Sequence, residues 1–189
     1  MDPIALQQEL EQAGFELHTF SEESLQDLPF SEDDMAIMTE CGFPAVAAPG
    51  EITFAQDVHP ESGPVLRRLC DEFEQFKAMN MAKMIWVFAR DKAGNVFWIH
   101  TMSGHAVTMK DEAHNTNRYV NDSLGSFLQS IALFRKLQLR YADTTITDPK
   151  AIVAAAGPDA VATLRTQLEA IDAEAFSDDD NFWKFSLAE

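Results

Sequence analysis

Apolar residues recur along this chain at two different periods, and the change from one to the other organises it. Near the start, Ile4, Leu6, Leu10 and Ala13 follow Asp2-Pro3. This predicts a helix with Asp2 as cap, Pro3 at its first position and Gly14 as its end. Ser21-Glu22-Glu23-Ser24 predicts a short helical turn closed by Pro29. Ser31-Glu32-Asp33-Asp34 reads as a capping-box-like start, with carboxylates at the positive end of the helix dipole. Met35, Met38 and Cys41 continue it at helical spacing, Gly42 is the natural stop, and Phe43-Pro44 prevents continuation. A loop over 45–50 and a short strand over 51–54 follow. Val65, Leu66, Leu69, Phe73 and Phe76 then predict a helix across about 64–80.

At Met84 the period changes. Residues 84–90 form an apolar, aromatic run, 91–95 are turn material, and 96–101 resume as a second run, the best hairpin in the sequence. Both runs are nearly continuous in apolar residues, which places them centrally in a sheet covered on both faces. Residues 106–109 predict a further strand and 111–117 an exposed polar loop. From Ser123, Leu124, Phe127, Leu128, Ile131, Phe134 and Leu137 fall on one helical stripe. Ser126, Gln129, Ser130, Arg135 and Lys136 are assigned to the opposite side. Asp148-Pro149 opens another helix, Gly157-Pro158 interrupts it, and 159–171 continues helically. Phe182-Trp183-Lys184-Phe185, preceded by three solvated aspartates, is expected to dock the tail on the body. No internal repeat or low-complexity linker is visible.

The 189 residues, 46% of them hydrophobic, exclude collagen-like, disulfide-stapled and wholly disordered classes. They suffice for one domain with its own core, and two small domains are the alternative. No apolar stretch approaches the ~20 residues of a membrane-spanning helix, and Met1-Asp2-Pro3-Ile4 lacks the basic and apolar blocks of a secretory signal. Cys41 and Cys70 make no disulfide framework and are expected to be buried thiols of a cytoplasmic protein.

Charge alters the picture more than composition does. The net charge is −17, and residues 1–66 hold 14 acidic side chains and not one Lys or Arg. Such a surface repels phosphate backbones and anionic membranes. Direct nucleic-acid and membrane binding are therefore disfavoured, and a basic protein partner is favoured. Acidity for solubility alone is the competing reading, and the cluster 32–34 is already explained locally by its helix start.

No phosphate loop, dinucleotide fingerprint, zinc-protease motif, Cys-x-x-Cys or nucleophile elbow occurs. The best metal or acid–base set is His100, His105, His114, Asp111 and Glu112, ligand types suited to zinc or iron but at a spacing that fits no established signature. A sheet histidine and two surface ones are expected instead. Cys70 lies near Arg67 and Arg68, cations that lower a thiol's pKa, but without an identifiable base it is expected to be a buried helical residue. No catalytic, cofactor-binding or metal-binding residue is nominated, and the chain is expected not to be an enzyme.

Tyr119-Val120-Asn121-Asp122-Ser123-Leu124-Gly125-Ser126-Phe127 resembles the V-N-x-S-L-x-x-F strand-to-helix step of the SUKH superfamily, the Smi/Knr-like fold, and is closest to its fourth subfamily. Val120 would end a strand, Asn121 or Asp122 would cap, and Leu124 and Phe127 would be the first core contacts of the helix. Cys41-Gly42-Phe43-Pro44 resembles the family's G-x-P element, with Ile52-Thr53-Phe54 as the strand after it. Gly94-Asn95-Val96 resembles its G-x-V turn, and Phe182-Trp183 the Phe-Trp of its C-terminal helix. Phe97-Trp98-Ile99-His100 departs from it by lacking an acidic residue.

The resemblance implies a single α+β domain over 1–189, with a central, mostly antiparallel sheet packed with helices and a helical C-terminal part from about 148. It also implies an immunity protein that binds and neutralises a bacterial polymorphic toxin, many of which are nucleases or deaminases. It carries no catalytic residue and no cofactor. Together with the charge, it makes Glu22, Glu23, Asp27, Glu32, Asp33 and Asp34 the candidate face for a basic toxin domain. An acidic secretion chaperone or adaptor is the alternative, and the oligomeric state is left open.

Overall fold

The structure is a computed structural model that describes residues 1–58, 65–102, 105–111, 113 and 115–188. Helix α1 (Pro3–Gln12) starts where the Asp2 carboxylate accepts the Ile4 N–H at 3.0 Å. It buries Leu6 and Leu10, with Ala13 just beyond, whereas Ile4 stays exposed and leaves the apolar stripe narrower than predicted. After β1 (Leu17–His18) come two short helices, α2 (Glu22–Leu25) and α3 (Glu32–Ala36), capped by the Ser21 and Ser31 hydroxyls. The chain then widens into a π turn over Ile37–Cys41 and stops at Gly42. There φ is +82° and a Cβ would lie 2.6 Å from the His18 carbonyl oxygen, so only glycine fits.

Strand β2 (Phe43–Pro44) pairs with β1. Within the predicted loop over 45–50, Val46–Ala47 forms a strand, β3, paired with β4 (Ile52–Phe54). The helix predicted across about 64–80 does not form, and residue 64 lies outside the described residues. Instead β5 (Arg67–Arg68) leads into a single turn, α4 (Leu69–Glu72), and two 3-10 turns at Glu74–Phe76 and Asn80–Met84. Phe73 is extended and ends α4.

Four longer strands follow: β6 (Ile85–Arg90), β7 (Val96–His100), β8 (Val107–Asp111) and β9 (Thr116–Asn121). Next come the long helix α5 (Leu124–Tyr141), then α6 (Pro149–Ala156), α7 (Pro158–Ile171), a 3-10 turn at Ala173–Phe176, and α8 (Phe182–Ser186).

The antiparallel sheet has the order β3-β4-β6-β7-β8-β9. One edge of β6 is shared. Thr53 and Phe54 of β4 pair with Arg90 and Ala89, while Arg67 and Arg68 of β5 pair with Val87 and Trp86. The hairpin alternates as the pleat requires, except at a bulge between Val87 and Ala89 where Phe88 and Ala89 both enter the large core. Trp86, Phe88, Phe97 and Ile99 enter the large core under α5, where Phe97 stacks on Phe127 at 5.5 Å. Val87, Val96, Ile85 and Trp98 face a smaller core closed by Leu69, Phe73 and Phe76. Both faces are covered, as the unbroken apolar runs predict.

Two further differences concern β8 to α5. The predicted polar loop over 111–117 is shorter, because β8 runs through Asp111 and β9 begins at Thr116. The α5 cap is Ser123, whose hydroxyl accepts the Ser126 N–H, and not Asn121 or Asp122. Ser126 and Ser130 are buried rather than solvent-facing. The Ser130 hydroxyl donates to the Ser126 carbonyl at 2.8 Å and that of Ser123 to Ser126 Oγ at 2.9 Å, so the helix itself satisfies them.

Candidate partner-binding surface

Helix starts position the six candidate carboxylates. Glu22 and Glu23 occupy the first turn of α2, Glu32 and Asp33 that of α3, and Asp27 the link between them; all five are exposed. Among the described residues none of the five has an ion-pair partner. The loop is anchored by Phe30, whose ring packs against Trp86 at 5.3 Å, so this acidic edge sits where β6 begins.

Asp34 is different. It is buried, accepts the Ser31 hydroxyl at 2.7 Å and lies 2.8 Å from His105 Nδ1. A side chain so enclosed does not reach a partner, which reduces the face to five carboxylates. The signal was in the sequence: in a Ser31-x-x-Asp34 box the third helical residue folds back on its own cap.

The proposed metal or acid–base set is dispersed among other duties. His100 Nδ1 accepts the Met102 N–H at 3.2 Å, His105 Nδ1 lies 2.8 Å from Asp34 Oδ2, and buried Asp111 accepts Arg118 Nε and Nη2 at 3.3 and 3.1 Å. Glu112 and His114 lie outside the described residues. Among those described, no group of three His, Cys, Asp or Glu could hold a metal ion. Cys70 is buried, and the two cations near it are engaged elsewhere: Arg67 with Glu72, and Arg68 over the Trp86 ring at 5.7 Å. Burial pushes the Cys41 thiol up to about 12, with the charge of Glu11 adding to it, so this thiol is not a nucleophile at neutral pH.

The densest polar cluster, centred on Asp172, was not foreseen. Asp172 Oδ2 accepts the Tyr119 hydroxyl at 3.0 Å, the Asp122 N–H at 2.9 Å and Asn121 Nδ2 at 3.4 Å, while Oδ1 accepts the Glu174 N–H at 3.1 Å. Asn121 Oδ1 in turn accepts the indole N–H of fully buried Trp183 at 2.8 Å. Burial, then the charge and hydrogen bond of Asp172, hold the Tyr119 hydroxyl well above its usual range. A carboxylate with four donors beside a phenol kept protonated is a structural knot, not an acid–base pair. Beside it Arg118, bonded to Asp111, also donates to the Asp180 carbonyl at 2.9 Å and lies over the Phe185 ring at 4.4 Å. The strand-to-helix step and the Phe-Trp tail, remote in sequence, are thus bonded to each other.

An antiparallel sheet, a capped helix entered from its edge strand and a C-terminal helix bonded to that step make this a mixed α+β protein, the architecture that the Smi/Knr-like resemblance implies. The sequence profile of the SUKH-4 immunity protein family matches residues 5–189, and the chain belongs to that family. No curated protein and no solved structure matches it. Among the described residues no helix is long and apolar enough to cross a membrane.

Proposed function

We propose that this chain is a non-catalytic immunity protein of the cytoplasm, a single domain over 1–189. It occupies a cognate toxin domain stoichiometrically through the exposed carboxylates Glu22, Glu23, Asp27, Glu32 and Asp33. The observation that carries this is an acidic edge without ion-pair partners among the described residues, within a 66-residue segment free of Lys and Arg, in a member of an immunity family. Unpaired charge of one sign raises the rate of encounter with an oppositely charged surface. The toxin domain is accordingly basic, as suits a nuclease or deaminase that acts on nucleic acid.

The test is reversal of the five carboxylates to Lys, with binding measured to the toxin domain encoded in the neighbouring reading frame. The association rate is expected to fall by at least about tenfold, and its dependence on salt to flatten. An unchanged rate and salt dependence would remove this face from the proposal. Binding to an extended segment of a secreted protein, with no affinity for a folded toxin domain, would indicate an adaptor instead.

A further inference from the structure

Three methionines stand out among the exposed apolar side chains: Met79, Met81 and Met102, at 50%, 68% and 73% exposure. They belong to different segments, yet hydrogen bonds bring those segments together. The N–H and hydroxyl of Thr101 both bond to the Met84 carbonyl, at 2.9 and 3.1 Å, which lays the end of β7 and Met102 against the Asn80–Met84 turn that carries Met81. Met79 immediately precedes this turn, its N–H bonded to the Phe76 carbonyl. Two further ties join the acidic edge to the same place: Phe30 on Trp86, two residues after Met84, and Asp34 at 2.8 Å from His105. Glu32 and Asp33 therefore lie toward the same end of the strands as the methionines, where β6 begins and β7 ends.

We infer that these methionines are the apolar centre of the docking surface whose acidic border was described above, an inference that rests on the immunity reading. Its occupant is a folded basic domain that inserts an apolar side chain among the methionines and presents Lys or Arg to Glu32 and Asp33. Interface centres are apolar and depleted in charge, with polar residues at the border. Methionine's flexible, polarisable side chain suits a contact that must mould itself to its partner. Charge complementarity sets the side from which the partner approaches. Of the nearby cations Lys77 is paired with Glu74 at 2.6 Å, while Lys83, which donates to Asn80 at 3.3 Å, and Arg68, over the Trp86 ring, keep their charge and are outnumbered by the five exposed carboxylates. The indole nitrogen of Trp86, at the same end of the sheet, is buried without a hydrogen-bond partner among the described residues.

The border and the centre make different kinetic contributions, since steering charge acts on association and desolvated contacts on dissociation. The probe is the toxin domain encoded beside this gene, carrying an inactivating substitution. Replacing the three methionines (Met79→Ser, Met81→Ser, Met102→Ser) is expected to raise the dissociation rate by about 100-fold and leave the association rate within about twofold. The triple Leu variant should stay within about fivefold of the native chain. In the native chain, toxin binding should slow peroxide oxidation of Met81 and Met102, a readout that stands even if the Ser variant folds poorly. Native binding with no effect of the Ser variant and no slowing of oxidation would overturn the methionine centre and leave the immunity reading intact. Failure of the native chain to bind would overturn both.

Discussion

Two regions of the central sheet, its edge strand β9 and the start of β6 three strands away, spend polar groups in opposite ways. At the β9 end, Asp172, Asn121, Tyr119 and Trp183 are each bonded to another member of the knot, and Arg118 is enclosed between Asp111 and the tail. At the end where β6 begins, five carboxylates stand exposed without ion-pair partners among the described residues, beside three exposed methionines and an indole nitrogen with no acceptor among those residues. Among the described residues the Asp172 cluster is bonded within the chain, whereas the proposed docking region keeps its carboxylates without ion-pair partners.

Substitution in the knot is expected to produce the largest effects, and on stability. Trp183→Ala removes a fully buried indole and should cost about 3–5 kcal/mol in urea unfolding. Asp172→Ala removes the acceptor of the Tyr119 hydroxyl and of the Asp122 N–H, and leaves the buried Asn121 amide with the longer contact to Ser130 at 3.5 Å. Each orphaned group costs roughly 1–3 kcal/mol, so a loss of about 2–4 kcal/mol is expected. Trp183→Phe should be milder, about 1–3 kcal/mol, because mainly the donor to Asn121 is lost. If these variants unfolded at the native urea midpoint, the knot would not be structural and the contrast between the two regions would fail.

That contrast was only half legible in the sequence. The hairpin of β6 and β7 and the stripe of α5 were, because their periods, 2 and 3.6, are local and their apolar residues have one place to go. The segment from Val65 to Phe76 has helical spacing too, but the open edge of β6 needed Arg67 and Arg68, and the second face of the sheet needed Leu69, Phe73 and Phe76. Demand from a distant strand overrode a local period. The Asp172 knot was invisible for a related reason. Its partners lie about 50 residues away, and no pattern within a window announces them. The acidic edge could be read from charge alone, whereas its apolar neighbours could not, since exposed methionines look like core in a sequence.

Alkaline unfolding gives a smaller and independent check on the enclosed part. The folded Cys41 thiol stays protonated up to about 12, against 9.0 for the free group. Between those values only the unfolded chain ionises, so the contribution is fully present below pH 9 and falls away as pH rises toward 12. Tyr119, raised for its own reasons, acts in the same direction. Urea unfolding at pH 8, 9.5 and 10.5 should show the native chain losing stability faster than Cys41→Ala. Parallel curves would show the thiol to be solvated. The smallest effect is expected at the acidic edge: reversing Glu22, Glu23, Asp27, Glu32 and Asp33 should move the urea midpoint at neutral pH only slightly, because the few tenths of a kcal/mol lost at each helix start are opposed by relief of the net charge of −17. A large shift would mean that these carboxylates stabilise the fold and are not held in reserve for a partner.

The central claim is that this chain protects by occupying a toxin. The most direct measurement is growth of cells that express the toxin domain from the neighbouring reading frame, with and without this chain, together with the stoichiometry of the two purified proteins. Survival only when the chain is present, and a one-to-one complex that blocks the toxin's activity, is the predicted result. Equal killing with and without it, or rescue by amounts far below stoichiometric, would contradict the account.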